Sequence, residues 1–407
     1  MKKIVTLGLV AGSLLTAGGY KIPEQSLNAV ALGAAYVAHT TGADTAYYNP
    51  ANMAFLGDDR YIEGGLTLAH LPSIRYRSGA PLSGKTRTEN IAFPNLYYVS
   101  KPMENFRWGI SLNAPGGLTK RWDAPFEKAF AQEFTLKILE LNPSVSYRVT
   151  DRLAIGGGVR LIYSEGVVKS DGLDANIPLR REMKGNAVEF GYNLAVSYRP
   201  LDDLILAATY RSNVNIKEEG DANLYLGGIG KQFDADVTVP LPAALNMAIS
   251  KTLNDVLTLE FDYERTFWSK YKALDFNYKQ PILSPALKDA FDAPIPRNWK
   301  DTNTFRIGAT LKMNDKTTLM TGIAFDDTPV PAETLGFELP DSDAKILSFG
   351  IRYRQNKHLS WGAALLYADK ESRNIAAGTN GNRVLANGGT FDGGGAFLTT
   401  IGVTYRY

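Results

Sequence analysis

Residues 397–407 read FLTTIGVTYRY and alternate along their whole length. Phe397, Thr399, Ile401, Val403, Tyr405 and Tyr407 fall on one face of a strand. Leu398, Thr400, Gly402, Thr404 and Arg406 fall on the other. Successive strand side chains point to opposite sides, so one face is greasy and aromatic and the other mostly small and polar. A strand of this kind that ends on an aromatic residue, in a chain that opens with a secretory leader, predicts an outer-membrane β-barrel.

The leader is residues 1–17, MKKIVTLGLVAGSLLTA. Lys2 and Lys3 give a basic start, Ile4 to Leu15 an apolar run, and Leu15-Thr16-Ala17 a small-residue cleavage site. The run is too short to cross a bilayer as a helix and reads as a removable signal peptide. Beyond it no stretch approaches the ~20 apolar residues of a membrane helix. Mean hydropathy is only -0.17 although 44% of residues are hydrophobic. A barrel reconciles the two, because only every second residue of a strand meets lipid. With no cysteine, neither disulfides nor thiolate-bound metal hold the fold. The 44 basic and 42 acidic residues become balanced once Lys2 and Lys3 are removed, which gives no pull toward nucleic acid.

The alternation recurs upstream. Leu153, Ile155, Val159, Leu161 and Tyr163 share one face, as do Val188, Phe190, Tyr192, Leu194, Val196 and Tyr198. Leu257, Leu259, Phe261 and Tyr263 alternate with Thr258, Glu260, Asp262 and Glu264. Phe305, Ile307, Ala309 and Leu311 alternate with Arg306, Gly308, Thr310 and Lys312. The polar faces carry both signs of charge, which suits a watery lumen. Short turns rich in Asn and Asp stand at Thr150-Asp151, Leu201-Asp202-Asp203, Leu253-Asn254-Asp255, Asn314-Asp315 and Gln355-Asn356-Lys357. Longer connections fall around Ala124–Gln132, Asp221–Phe233 and Tyr278–Arg297. Short turns at one end and long loops at the other are the asymmetry of an outer-membrane barrel, and the count comes to about 14 strands. Such a barrel is too wide for its wall side chains to fill. Tyr20 to Phe55 does not alternate; it is compact and rich in Ala and Tyr, as expected of a plug packed in the lumen. The resulting organisation is an all-β transmembrane antiparallel β-barrel: residues 1–17 signal peptide, 18–55 N-terminal hatch, 56–407 barrel.

Within the third strand, Trp108, Ile110 and Leu112 lead into Asn113-Ala114-Pro115-Gly116-Gly117. Pro lacks a ladder donor and Gly-Gly marks a bulge, so the ladder breaks here or the strand leaves the membrane. Phe126, Phe130 and Phe134 recur every fourth residue, one stripe of a helix and a greasy landing groove on an external loop. Phe233, Ile282, Leu283 and Leu287 add to that groove.

Several stretches together resemble the FadL/TodX-type outer-membrane transporters of long-chain fatty acids and other hydrophobic compounds. They are Gly33-Ala34-Ala35-Tyr36, Tyr47-Tyr48-Asn49-Pro50-Ala51-Asn52, Tyr210-Arg211-Ser212, Leu241-Pro242, Gly322 to Pro331 (GIAFDDTPVP) and Pro340-Asp341-Ser342-Asp343. The resemblance implies a 14-stranded barrel plugged by a hatch, with ligand captured outside and released sideways through a gap in the wall. It implies that Asn49, Pro50 and Ala51 form the hatch motif, and that Asn113, Pro115, Gly116 and Gly117 form the kink that opens the wall. Tyr20, Lys21 and Ile22 are then within reach of the ligand. A carboxylate ligand favours a cation when desolvated. Lys169 stands near a family basic contact, Arg297 and Lys300 in a region with another, and Asp326 and Asp327 are placed to hold such cations or the hatch. The chain departs from the family where an Arg commonly follows Pro-Asp-x-Asp; here Ala344 stands there, and Lys345 falls on the opposite face.

The expected function is passive outer-membrane transport of long-chain fatty acids or related compounds, in a Gram-negative bacterium, by a monomer without cofactor or metal. The expected partners are the hydrophobic ligand, outer-membrane lipid and the barrel-assembly machinery. Transport of neutral aromatic hydrocarbons is the alternative. A general porin would lack a hatch, and an outer-membrane lipase would need a Ser–His pair at the lipid face. With only His39, His70 and His358 and no nucleophile motif, an enzyme is disfavoured.

Overall fold

The computed structural model describes residues 18–79, 82–378 and 385–407; the leader, residues 1–17, lies outside the described residues. Fourteen antiparallel strands close into a barrel. They are β1 Tyr61–Leu71, β2 Glu89–Val99, β3 Phe106–Arg121, β4 Glu133–Arg148, β5 Leu153–Asp171, β6 Leu179–Leu201 and β7, made of Leu204–Arg211 and Val214–Leu226. There follow β8 (Ile229–Leu241 and Ala243–Leu253), β9 Leu257–Phe267, β10 Thr302–Lys312, β11 Thr317–Asp326, β12 Ala344–Arg354, β13 Leu359–Lys370 and β14 Ala396–Arg406. The last strand pairs with the first, with Ile401 opposite Leu66, so the sheet has no edge. That closure satisfies the ladder groups that lipid cannot.

The side-chain alternation sets inside and outside. Phe397, Ile401, Val403 and Tyr405 are exposed on the outer surface, whereas Leu398 and Thr400 are buried inside. Phe190, 67% exposed, stands with Val188, Tyr192 and Leu194 on the outer face of β6. Charged residues that alternate with these greasy ones point into the lumen.

The strands do not end at one level. β5 to β8 run well past the lipid-facing band, while β10 to β14 stop near it. This overturns the expected long connection at Asp221–Phe233. Leu226 and Ile229 instead flank a two-residue turn, Gly227 (φ +55°) and Gly228 (φ +88°), both in the left-handed conformation that such hairpins require. The stretch hides in the sequence because its outward residues, among them Glu219, Asp221 and Asp234, face water above the lipid and leave no greasy face. At the same end a small sheet of Ile74–Arg77, Gly84–Lys85, Arg373–Ile375 and Gly389–Gly393 covers part of the rim.

The N-terminal segment, residues 18–56, fills the lumen. It contains helices Leu27–Ala31 and Thr45–Tyr48 and a 3-10 turn, Pro50–Phe55. Ser26 caps the first helix, accepting from Ala29 N–H. Asn49 starts the 3-10 turn by accepting from Ala51 N–H (3.2 Å), with Pro50 at the position where a missing amide costs nothing. The wall grips this segment by facing carboxylates. Glu260 accepts from the amides of Val37 (2.6 Å), Ala38 (2.7 Å) and His39 (2.8 Å); Asp262 accepts from Tyr36 N–H (3.1 Å); Glu264 pairs with Lys21. These three acids are alternate residues of β9, so all face inward. Arg107 closes the far end of the segment, donating to Leu56 O (2.9 Å) and Gly57 O (2.8 Å), and also to Asp59 O. Two glycines allow the fit: a Cβ on Gly322 would lie 2.0 Å from Leu32 C, and one on Gly156 2.5 Å from Ala51 N.

Replacing Glu260 with Ala leaves three buried amides without an acceptor, at a cost on the order of 3 kcal/mol or more. The barrel should still assemble, as judged by its heat-modifiable gel mobility, but its N-terminal segment should become sensitive to limited proteolysis. Unchanged protease resistance would show that the Glu260 contacts do not hold the segment.

Candidate functional site

The wall is interrupted where the sequence breaks β3. Pairing between β2 and β3 runs only from Val99 opposite Gly109 to Leu96 opposite Leu112. Against β4, the register of β3 shifts between Asn113 and Gly116, so Ala114 and Pro115 bulge out of the ladder. Higher up the two sides meet again: Arg87 N–H donates to Arg121 O (2.9 Å), and Arg121 pairs with Glu89 (2.6 Å). Between these joins lies a slot in the wall, with Glu89–Asn95 of β2 on one side and Asn113–Lys120 of β3 on the other.

The backbone groups freed by the bulge turn inward to the N-terminal segment. Ile22 N–H donates to Pro115 O (2.9 Å), and Gly117 N–H donates to Tyr20 O (2.8 Å). The Gln25 side chain donates to Ala114 O (2.8 Å) and accepts from Ala114 N–H (2.8 Å). Residues 20–25 thus act as a substitute strand behind the slot. Among the described residues, the side-chain amides of Asn113 (both polar atoms) and Asn95 (Nδ2) have no partner, although both residues are buried.

Above this seam is a narrow cavity of about 80 Å³, smaller than the roughly 300–1,000 Å³ of pockets that enclose a whole small molecule. Its walls are mostly apolar: Leu118 beyond the bulge, Phe134 and Leu136 of β4, Val168 of β5, Val237 and Val239 of β8, and Tyr271, Leu274, Phe276 and Trp299 from the β9–β10 connection. Tyr20 contributes from the N-terminal segment. Its ring packs against Trp268 (4.9 Å between centroids), which packs against Trp299 (4.8 Å), and its hydroxyl donates to Pro240 O. Burial pushes the Tyr271 phenol above its ordinary range, with Arg297 opposing the shift, so it stays neutral. Arg297 and Glu338 both line the cavity and pair at 2.5 Å. Rings of Trp122, Phe337, Phe391 and Tyr76 pack together toward the loop end.

A second space, of about 60 Å³, lies on the other side of Lys21 and Ile22. Arg160, Arg211, Glu264 and Arg306 line it with Pro115, and Glu140 holds Arg160 (2.9 Å) and Arg211. It suits water and ions rather than an acyl chain.

The residues singled out in the sequence fall in different places. Arg297 and Phe134 line the apolar cavity; Pro115 lines the charged one, in the kink with Asn113, Gly116 and Gly117. The helix expected to carry three Phe residues is only Pro125–Ala131, and Phe134 belongs to β4. Phe126 and Phe130 pack on Phe337 and are not an open groove. Phe233 and Leu287 are buried in the same upper cluster, whereas Leu283 is 82% exposed. Lys169 does not reach the cavity: its neighbour Val168 faces inward, and Lys169 pairs with Glu133 (2.8 Å) on the other side of the strand. Lys300 is exposed outside the cavity. Asp326, buried at the top of β11, accepts from Thr304 Oγ1 (2.6 Å) and abuts Gly18, away from both spaces. Tyr271, Leu274, Phe276 and Trp299 escape a reading of the sequence, because they sit in an irregular connection with no periodic signal.

A Val168→Trp variant should fill the cavity. Affinity for an oleate probe should fall at least about tenfold, or 1.4 kcal/mol, by fluorescence displacement, with folding unchanged. Unaltered affinity would place ligand elsewhere.

Residues 8–407 match the family model described as outer membrane protein transport protein (OMPP1/FadL/TodX). The long-chain fatty acid transport protein of Escherichia coli (strain K12) is 25% identical, with 92% of each chain aligned. Outer membrane protein P1 of Haemophilus influenzae is 26% identical over 88% of this chain and 89% of the relative. Among solved structures, a Pseudomonas aeruginosa FadL homologue superposes with TM-score 0.82 at 21% identity, over 95% of this chain and 99% of the other. The Ralstonia pickettii toluene transporter TbuX superposes with TM-score 0.71 at 20% identity, over 94% and 98%.

Proposed function

The chain belongs to the outer membrane protein transport family (OMPP1/FadL/TodX), and on that premise we propose how it moves its cargo. It is a transporter of the Gram-negative outer membrane for fatty acids or hydrophobic aromatic compounds, not an enzyme. Our reading is a long-chain fatty acid that enters from the loop end, rests in the apolar cavity and leaves sideways through the slot beside Pro115. The N-terminal segment is the hatch that blocks the straight path.

One observation carries this reading. One residue both floors the cavity and helps close the slot: Tyr20 lines the cavity with its ring and holds Gly117 with its carbonyl. A ligand that displaces the Tyr20 ring shifts the strand that backs the bulge. The closing bonds are few, two backbone bonds and a two-bond amide clasp by Gln25. At about 1 kcal/mol net each, ligand burial outweighs them, because each buried CH₂ contributes about 0.8 kcal/mol. A lateral exit also spares the chain from crossing the charged space below. Passage needs no energy source, because the ligand runs down its gradient into lipid.

The cargo's polar end separates two readings. A carboxylate would meet Arg297, the cation that lines the cavity. A neutral aromatic hydrocarbon is the second reading, supported by the existing Arg297–Glu338 pair, in which the cavity's cation is already matched. Uptake of labelled oleate and labelled toluene, in a host lacking its own hydrophobic-compound transporter, decides between them. Oleate uptake above background sustains the first, toluene alone the second, and neither, with folded protein in the outer membrane, overturns both. Making both Arg297 and Glu338 into Leu should reduce oleate uptake and spare toluene. The double variant Pro115→Val, Gly116→Thr should slow uptake about tenfold, 1.4 kcal/mol in the barrier, while oleate affinity in detergent stays the same. Normal uptake by that folded variant would remove the slot from the route.

A further inference from the structure

We infer that removal of the leader after Ala17 creates an ammonium group on Gly18 that pairs with the buried carboxylate of Asp326 and so locks the N-terminal segment in place. Hydrolysis of the Ala17–Gly18 peptide bond by water leaves a carboxylate on Ala17 and an amine on Gly18, which takes up a proton. Two observations bring Gly18 to this carboxylate. A Cβ on Gly18 would lie 2.9 Å from Asp326 Oδ2 and 3.4 Å from Oδ1, so the carboxylate rests against this residue. The next amide, Gly19 N–H, donates to Asp341 Oδ2 (3.1 Å). Both glycines have left-handed φ, +88° and +77°, which turns the chain into this corner.

Among the described residues, the ion pairs around the corner leave Asp326 without a cation of its own. Asp341 is balanced by Lys370 (2.5 Å). Asp262 and Glu260 are taken by the amides of Tyr36 to His39. Three carboxylates remain, on Glu24, Glu264 and Asp326, and the cations that face them are Lys21 and Arg306. Both cations lie on Glu264. Among the described residues, Asp326 has the Thr304 hydroxyl and no ion pair, and neither oxygen of Glu24 has a hydrogen-bond partner. A buried carboxylate without a cation is costly. The ammonium supplies the missing charge, as a charge-assisted hydrogen bond at the carboxylate that Gly18 touches. Two residues on, Tyr20 lines the ligand cavity, so Asp326 is a positioning residue for the cavity floor.

The test uses the full mature barrel purified in detergent. Mass spectrometry should show Gly18 as the first residue. Any other N-terminus overturns the inference but leaves the transport reading intact. The rate at which an amine-reactive ester labels that terminus is then compared in the wild type, Asp326→Asn and Glu24→Gln. A paired ammonium titrates above the usual α-amino range of about 7.7–8.0, and an amine that titrates one pH unit higher has about a tenth of the reactive free base. Labelling at pH 6.5, well below both values, should be about tenfold slower in the wild type and Glu24→Gln than in Asp326→Asn. A terminus that is merely buried would be equally slow in all three, and equal rates overturn the proposal. Faster labelling in Glu24→Gln than in Asp326→Asn overturns it as well, because the partner would be wrong.

Discussion

Every feature of this molecule answers to one constraint: backbone polar groups in a membrane wall need partners, and lipid offers none. Closure of β14 on β1 satisfies it around most of the barrel. At the bulge in β3 the wall breaks the rule locally, and the N-terminal segment repairs it from inside. The groups that lipid would leave bare at Ala114, Pro115 and Gly117 are taken by Gln25, Ile22 and Tyr20. A wall gap and an internal plug are therefore two halves of one solution. Neither is tolerable alone, and each can change only if the other moves.

The N-terminal segment is held by charge as well as by apolar packing. The lumen of a fourteen-strand barrel is too wide for wall side chains to fill, so the contacts are long polar side chains reaching inward. Glu260, Asp262 and Glu264 meet the segment on one side, and Arg352 on another, where it pairs with Glu63 (2.8 Å) and reaches Asn28 (2.9 Å). Such contacts fix position sharply yet leave room around them. Apolar contacts join Leu27, Val30 and Leu32 to Phe93 and Leu366 of the wall, and the rings of Tyr20, Trp268 and Trp299 border the cavity. The Arg and Glu side chains thus cluster below the aromatic rings.

Some of this is legible in the residues and some is not. The outward faces of β5, β6, β9, β10 and β14 can be read directly, because lipid selects every second residue. The upper halves of β7 and β8 cannot, since both of their faces lie above the lipid and water imposes no such selection. The break at Asn113–Gly117 is visible because Pro and Gly-Gly contradict a strand within a few residues. Phe134 looks helical because a spacing of four fits a helix turn, and the same spacing also puts residues on one face of a strand. Lys169 misses the cavity by one position: a single step along β5 exchanges lumen for outer face.

The sequence by itself determined the barrel, its lipid-facing residues, the interruption in β3 and the family. These follow from local rules, the period of two, the special backbone of Pro and Gly, and motifs short enough to read in line. Only the tertiary structure decided which residues meet in the lumen. The cavity joins Tyr20 to Phe134, Val239, Trp299 and Arg297, and the corner beside it joins Gly18 to Asp326 and Gly19 to Asp341. These partners lie far apart in the chain and are brought together by closure of the sheet. Whether a given charge is a ligand contact, a clasp for the plug or half of an ion pair depends on that closure, because the side chain's nearest neighbours come from other strands.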